Sequence, residues 1–125
     1  MTADPDAALD ALLDRYEQPA HRGRLAQPPA RSATATNPRC GDVVTMFAHV
    51  HGDVLAAVSF EGAGCTISQV AADVVAELAE GQPLGAVARL SLREVLAVLG
   101  PDLVRTRLDC ASLALRTLQQ AIASA

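Results

Sequence analysis

Two short apolar runs, Val43 to Val50 and Val54 to Phe60, flank the dipeptide Gly52-Asp53, and this arrangement constrains the fold more than any other feature of the chain. Successive residues of a strand point to opposite faces. In the first run Val44, Met46, Ala48 and Val50 share one face, and Val43, Thr45, Phe47, His49 and His51 share the other. Glycine at the first position of a two-residue connection suits a type II′ turn, so the two runs are expected to pair as an antiparallel hairpin. Both are nearly continuous in apolar residues, so helices should cover at least one face. Upstream, the Ala/Thr-rich stretch Ser32 to Thr36 reads as a short edge strand. Downstream, Glu61-Gly62-Ala63-Gly64-Cys65 is expected to break the sheet.

The rest of the chain carries helical periodicity. Leu9, Leu12, Leu13 and Tyr16 predict an amphipathic helix over 6–17, capped by Asp4 or Asp6 and ended by Pro19. Residues 18–31, with Pro19, Gly23, Pro28 and Pro29, read as a surface loop. Thr66-Ile67-Ser68-Gln69 fits the capping-box pattern, Ile67, Val70, Ala71, Val74 and Leu78 follow at helical spacing, and Gly81 suits the C′ position. Two short helices are predicted within 83–99, the second capped by Ser91 and Glu94, before the break at Gly100-Pro101. A last helix should bury Leu108, Ala111, Leu115, Leu118 and Ile122. Its start is open between Asp109, as N-cap, and the neighbourhood of Asp102. At this length the elements are expected to form one domain, 1–125.

Composition limits the function classes. Half of the 125 residues are apolar, yet Tyr16, Phe47 and Phe60 are the only aromatics, so the core must be built from Leu, Val and Ala. All ten basic residues are Arg, and the net charge is −4 with acidic residues spread along the chain. A nucleic-acid-binding surface would show a basic patch instead. The acidic, polar start lacks the basic and apolar regions of a signal peptide. No stretch approaches the roughly 18 uninterrupted apolar residues of a membrane span. The expected compartment is the cytoplasm, and an odd number of cysteines there reads as metal ligands or reactive thiols rather than as a disulfide framework.

Chemistry concentrates in Asn37-Pro38-Arg39-Cys40-Gly41-Asp42. In an extended segment Cys40 and Asp42 project from one face, and thiolate and carboxylate are both zinc ligands. The pair is half a site; Cys65 and Cys110, the only other cysteines, must supply the rest. Taken singly, each cysteine reads better as a small buried hydrophobe, and the 24 and 44 residues between successive cysteines match no local zinc motif. All three nevertheless fall at element junctions rather than within apolar stripes. Cys65 is expected just before a helix N-terminus, where the partial positive charge favours a thiolate. Arg105 and Arg107 near Cys110 are surface charge or thiolate-stabilising guanidiniums. His49 and His51 could pair on a metal, although a solvated strand end accounts for them better. Asp10, Asp14 and Glu17 read as a solvated helix face.

These motifs resemble the iron–sulfur cluster assembly proteins of the NifU/IscU type, and among them the SufU-like branch. The resemblance rests on Tyr16, Pro19, Gly23 and Leu25, on the stretch Asn37 to Asp42, on Gly62-Ala63-Gly64-Cys65-Thr66-Ile67-Ser68 and on Arg107-Leu108-Asp109-Cys110-Ala111, in that order. It implies a compact α+β fold of the IscU/SufU-like kind: a small three-stranded antiparallel sheet packed against about five helices. It also implies convergence of Cys40, Asp42, Cys65 and Cys110 on one metal site. By the same resemblance Cys110 is the sulfur acceptor, and Arg107 contacts a partner or stabilises the thiolate. Asp109 stands where IscU-type proteins have His, and Gly100-Pro101-Asp102-Leu103-Val104 occupies the region of their Leu-Pro-Pro-Val-Lys segment. Both departures favour the SufU branch, although the insertion usual there between the second and third cysteines is missing.

The resemblance implies a zinc-dependent acceptor of persulfide sulfur from a SufS-type cysteine desulfurase, serving SufBCD-type assembly machinery. The alternative is a non-catalytic scaffold that builds a [2Fe–2S] cluster on Cys40, Cys65 and Cys110 and passes it to apo-proteins. A structural zinc domain is the third reading. Both active chemistries use the same ligands, so residue types do not separate zinc from iron. No nucleic-acid or membrane partner is expected.

Overall fold

The computed structural model describes residues 5–26, 29–38, 41–100 and 108–123. The expected hairpin is present. Strands β2 (Asp42–His51) and β3 (Val54–Ala63) run antiparallel across Gly52-Asp53. Gly52 has φ +62°, and no non-glycine residue among those described has positive φ, which gives the sign pattern of a type II′ turn. Strand β1 (Arg31–Asn37) pairs along the other edge of β2, with Asn37 opposite Asp42. Its residues alternate: Ser32, Thr34 and Thr36 are exposed, while Ala33, Ala35 and Asn37 turn inward.

One sheet face is closed by helices, as the apolar runs require. Val44, Met46 and Ala48 of β2 join Leu55 and Phe60 of β3 in the core. Helix α2 (Thr66–Ala79) packs behind them with ten of its fourteen residues buried, including Val70, Val74 and Val75. A helix apolar nearly all round belongs at the centre of a fold. The last helix, α5 (Leu108–Ala123), lies against β1, β2 and α2. Helices α1 (Pro5–Glu17), α3 (Leu84–Ala88) and α4 (Leu92–Leu99) flank this centre. On the opposite sheet face Phe47 is also buried, with the Arg24 guanidinium 5.7 Å from its ring centroid. Residues 21–23 cover the free edge of β3: Phe60 N–H donates to the His21 carbonyl and Gly23 N–H to the Phe60 carbonyl. This removes an open pairing edge.

Several local expectations hold and others are corrected. Ser91 and Glu94 form the capping box of α4, and Gly81, with φ +84°, follows the C-cap of α2. The Thr66-to-Gln69 capping box does not form. Cys65 is the N-cap of α2, and the Ser68 hydroxyl donates back to the Cys65 carbonyl at 3.0 Å. Pro5 already opens α1, which removes Asp6 as its cap; Asp4 lies outside the described residues. Strand β3 continues through Glu61, Gly62 and Ala63, because Gly62 pairs with Val44 where a Cβ would collide with the Val43 carbonyl. Leu108 is exposed rather than buried. Ala111, Leu115 and Leu118 are buried as expected and Ile122 packs partly buried against the core, and the inward face of α5 also carries Cys110, Ala114 and Thr117. Of the apolar stripe on α1 only Leu12 is buried. No helix of the described residues is long and apolar enough to cross a membrane.

Candidate metal centre

Three chain segments converge at one end of the sheet. The first is the connection from β1 to β2. Gly41, with φ +71°, donates its N–H to the Asn37 carbonyl at 2.8 Å and delivers the chain into β2, whose first residue is Asp42. Asp42 is fully buried, at 0% exposure.

The second segment is the step from β3 into α2. Cys65 has the extended backbone of an N-cap, so its N–H points away from the helix and donates to Asp42 Oδ1 at 2.8 Å. Its Sγ stands 3.8 Å from Asp42 Oδ2. Gly64 permits this approach. Its φ is +137°, and a Cβ there would lie 2.8 Å from the Asp42 Cα and closer still to Oδ1.

The third segment is the first turn of α5. Leu108 is already helical, so Asp109 is not the N-cap, and Cys110 lies in the first turn described. A start near Asp102 falls outside the described residues. The Cys110 side chain is buried, and Asn37 Nδ2 donates toward its Sγ at 3.8 Å.

Asp42, Cys65 and Cys110 thus offer one oxygen and two sulfurs that all lie within 4.8 Å of one another. Three such atoms share a common point no more than about 2.8 Å from each. Zinc bonds of about 2.3 Å to sulfur and 2.0–2.2 Å to oxygen therefore need shifts of only about half an ångström. The burial of Asp42 points the same way. A buried carboxylate is costly unless a cation or hydrogen bonds compensate it. Among the described residues no arginine or histidine pairs with it, and Cys65 supplies its hydrogen bonds. The chemistry of the donor set fits a thiophilic divalent cation.

Cys40, Arg39, Arg105 and Arg107 lie outside the described residues. His49 and His51 sit at the far end of β2 from Asp42, half-buried and exposed respectively, and belong to no group of three or more ligands among the described residues. Asp10, Asp14 and Glu17 are exposed on α1, as a solvated face requires. Sequence reasoning named Asn37 only as the start of a motif and missed its reach across to Cys110. It read Gly64 as a sheet breaker, whereas the glycine makes room for the Asp42 carboxylate. The Gly-x-Gly spacing ahead of Cys65 was the available signal.

Comparison with known proteins places this geometry. The model of the NifU-like N-terminal domain matches residues 8–124. The chain is 25% identical, over 94% of both chains, to a protein named zinc-dependent sulfurtransferase SufU from Bacillus subtilis (strain 168). It is 29% identical to a protein named iron–sulfur cluster assembly scaffold protein IscU from Streptococcus pyogenes serotype M1, over 91% of this chain and 81% of that one. The crystal structure of the N-terminal part of a nitrogen-fixing NifU-like protein from Brucella abortus shares the fold, with a TM-score of 0.75 at 19% identity over 90% of this chain and 89% of that one. With its three-stranded sheet, its helices and this motif order, the chain belongs to the NifU-like N-terminal domain family.

Proposed function

We propose that the protein works in iron–sulfur cluster assembly as a zinc-dependent sulfur acceptor. Cys40, Asp42, Cys65 and Cys110 would hold the metal, and Cys110 would take sulfur from a SufS-type cysteine desulfurase. The observation that carries this reading is the gathering of two thiols and a buried carboxylate with no cationic side chain paired to it among the described residues. Similarity over nearly the full length to the Bacillus protein named zinc-dependent sulfurtransferase SufU supports zinc as the metal. Bound zinc would keep the cysteine sulfurs deprotonated at neutral pH.

The transfer itself is thiol exchange. The Cys110 thiolate attacks the outer sulfur of the desulfurase persulfide. A new sulfur–sulfur bond forms on Cys110 as the bond to the desulfurase cysteine breaks, and that cysteine leaves as a thiolate. The persulfide proton stays with the transferred sulfur, so no external oxidant or reductant is consumed. The two cysteines with described side chains have different surroundings. Cys65 is held through its backbone as the N-cap of α2, where its N–H donates to Asp42 Oδ1, whereas Cys110 Sγ accepts from the Asn37 amide. Cys65 suits the part of a fixed ligand and Cys110 that of the nucleophile. Arg107 would contact the partner or stabilise the thiolate.

The test is metal analysis of the purified protein together with stimulation of a cysteine desulfurase. About one zinc per chain and faster cysteine turnover are expected; absence of zinc, or no stimulation, refutes the reading. The second reading, a scaffold for a [2Fe–2S] cluster, is favoured by similarity to the Streptococcus scaffold protein. Protein purified without oxygen separates the two, brown for a cluster and colourless for zinc.

A further inference from the structure

We propose that Asn37 is a positioning residue for Cys110, holding the acceptor sulfur within the ligand set through an N–H···S hydrogen bond. The inference rests on the reading of Cys110 as a metal ligand and sulfur acceptor. Asn37 closes β1 opposite Asp42 and is buried, at 7% exposure, against the first turn of α5. Its Nδ2 lies 3.8 Å from Cys110 Sγ, across 73 residues of sequence. A neutral thiol is a weak acceptor, whereas an anionic sulfur accepts a much stronger, charge-assisted bond. The amide therefore does most when Cys110 carries charge, both as a ligand and as the attacking nucleophile.

The placement has a second consequence. Asn37 belongs to the strand pair that presents Asp42, whereas Cys110 belongs to a separate helix. The Asn37 side chain thus links the strand pair that presents the carboxylate to the helix that carries the sulfur. Groups that orient metal ligands from behind commonly change metal affinity by about 10–100-fold when removed.

The experiment uses cobalt(II) in place of zinc, because sulfur-to-cobalt charge transfer absorbs in the near ultraviolet. Asn37→Leu keeps the approximate shape and removes the donor. Losing a hydrogen bond to sulfur raises the energy of the sulfur electrons, so the charge-transfer band should move to longer wavelength. Cobalt affinity should fall about tenfold. In a Cys110→Ser background the same substitution should have little effect on either, because the sulfur it acts on is gone. Asn37→Ser, smaller and still polar, serves as the second variant if Asn37→Leu does not fold, with the same expectations. An unchanged band and affinity in the variant that folds, or equal changes with and without Cys110, overturns the proposal. If wild-type protein takes up no cobalt, the ligand set and the proposal fall together. The spectrum requires no desulfurase. A wild type that accepts no sulfur while the band still moves therefore refutes only the acceptor reading.

Discussion

Replacing Gly64 by alanine tests whether the contact between the end of β3 and Asp42 is as tight as the structure requires. Two penalties apply. A non-glycine residue at φ +137° pays for an unfavourable backbone conformation, about 1–2 kcal/mol. The new Cβ would also press on Asp42, whose Cα lies 2.8 Å away and whose Oδ1 is nearer still. Asp42 is fully buried and bonded to the Cys65 N–H, so it cannot swing aside freely. Overpacking of this kind adds about 1–3 kcal/mol. Gly81→Ala is the matched control, since Gly81 has φ +84° and nothing within 4 Å of the Cβ position. At about 4 °C per kcal/mol for a chain of this size, Gly81→Ala should lower the melting temperature by about 4–8 °C and Gly64→Ala by about 8–20 °C. Thermal unfolding of the metal-free proteins, followed by circular dichroism, reads the difference without ligand effects. If the two variants melt within about 2 °C of each other, the crowding argument is wrong.

Asp42→Ala is expected to fold, to bind zinc at least tenfold more weakly, and to release sulfur from Cys110 more slowly; wild-type values for both metal retention and sulfur transfer would show that Asp42 is not a ligand. Cys110→Ser should remain folded with weakened zinc binding and should take up no sulfur. Mass spectrometry of wild type after incubation with a desulfurase and cysteine should place the added sulfur on the Cys110 peptide, and sulfur only on Cys40 or Cys65 would overturn that assignment. Arg15→Ala strips a 2.8 Å ion pair from the buried Asp73, which keeps the His21 N–H as a partner. The expected destabilisation is about 2 kcal/mol, below the range for a fully broken buried pair, and a melting temperature within about 2 °C of wild type would refute it.

Sequence legibility followed the range of the interaction involved. The hairpin across Gly52-Asp53 and the capping box of α4 are local devices, each complete within a few residues, and both were readable. The Thr66 pattern looked like a similar device and misled. Its competitor is non-local: Asp42 takes the Cys65 N–H, 23 residues away, and sets where α2 begins. Gly62 was read as a breaker because glycine weakens strands, but here it is the residue that fits opposite Val44. Periodicity marked apolar faces on α1 and α5 without saying what covers them, so Leu9, Leu13, Tyr16 and Leu108 emerged exposed. The donor set could be suspected from residue types. The approach of Asp42, Cys65 and Cys110 to within 4.8 Å depends on tertiary packing that no spacing encodes.

The burial of α2 has a consequence for the timing of events at the centre. Amide protons of a helix enclosed on nearly every side exchange with solvent only when the whole domain opens, whereas frayed ends exchange through small local openings. With ten of fourteen residues buried, the body of α2 should be among the slowest-exchanging parts of the molecule. Cys65 stands at the edge of that slow body, partly exposed and with its N–H held by Asp42 Oδ1, so local opening at the centre can take place there without opening the whole domain.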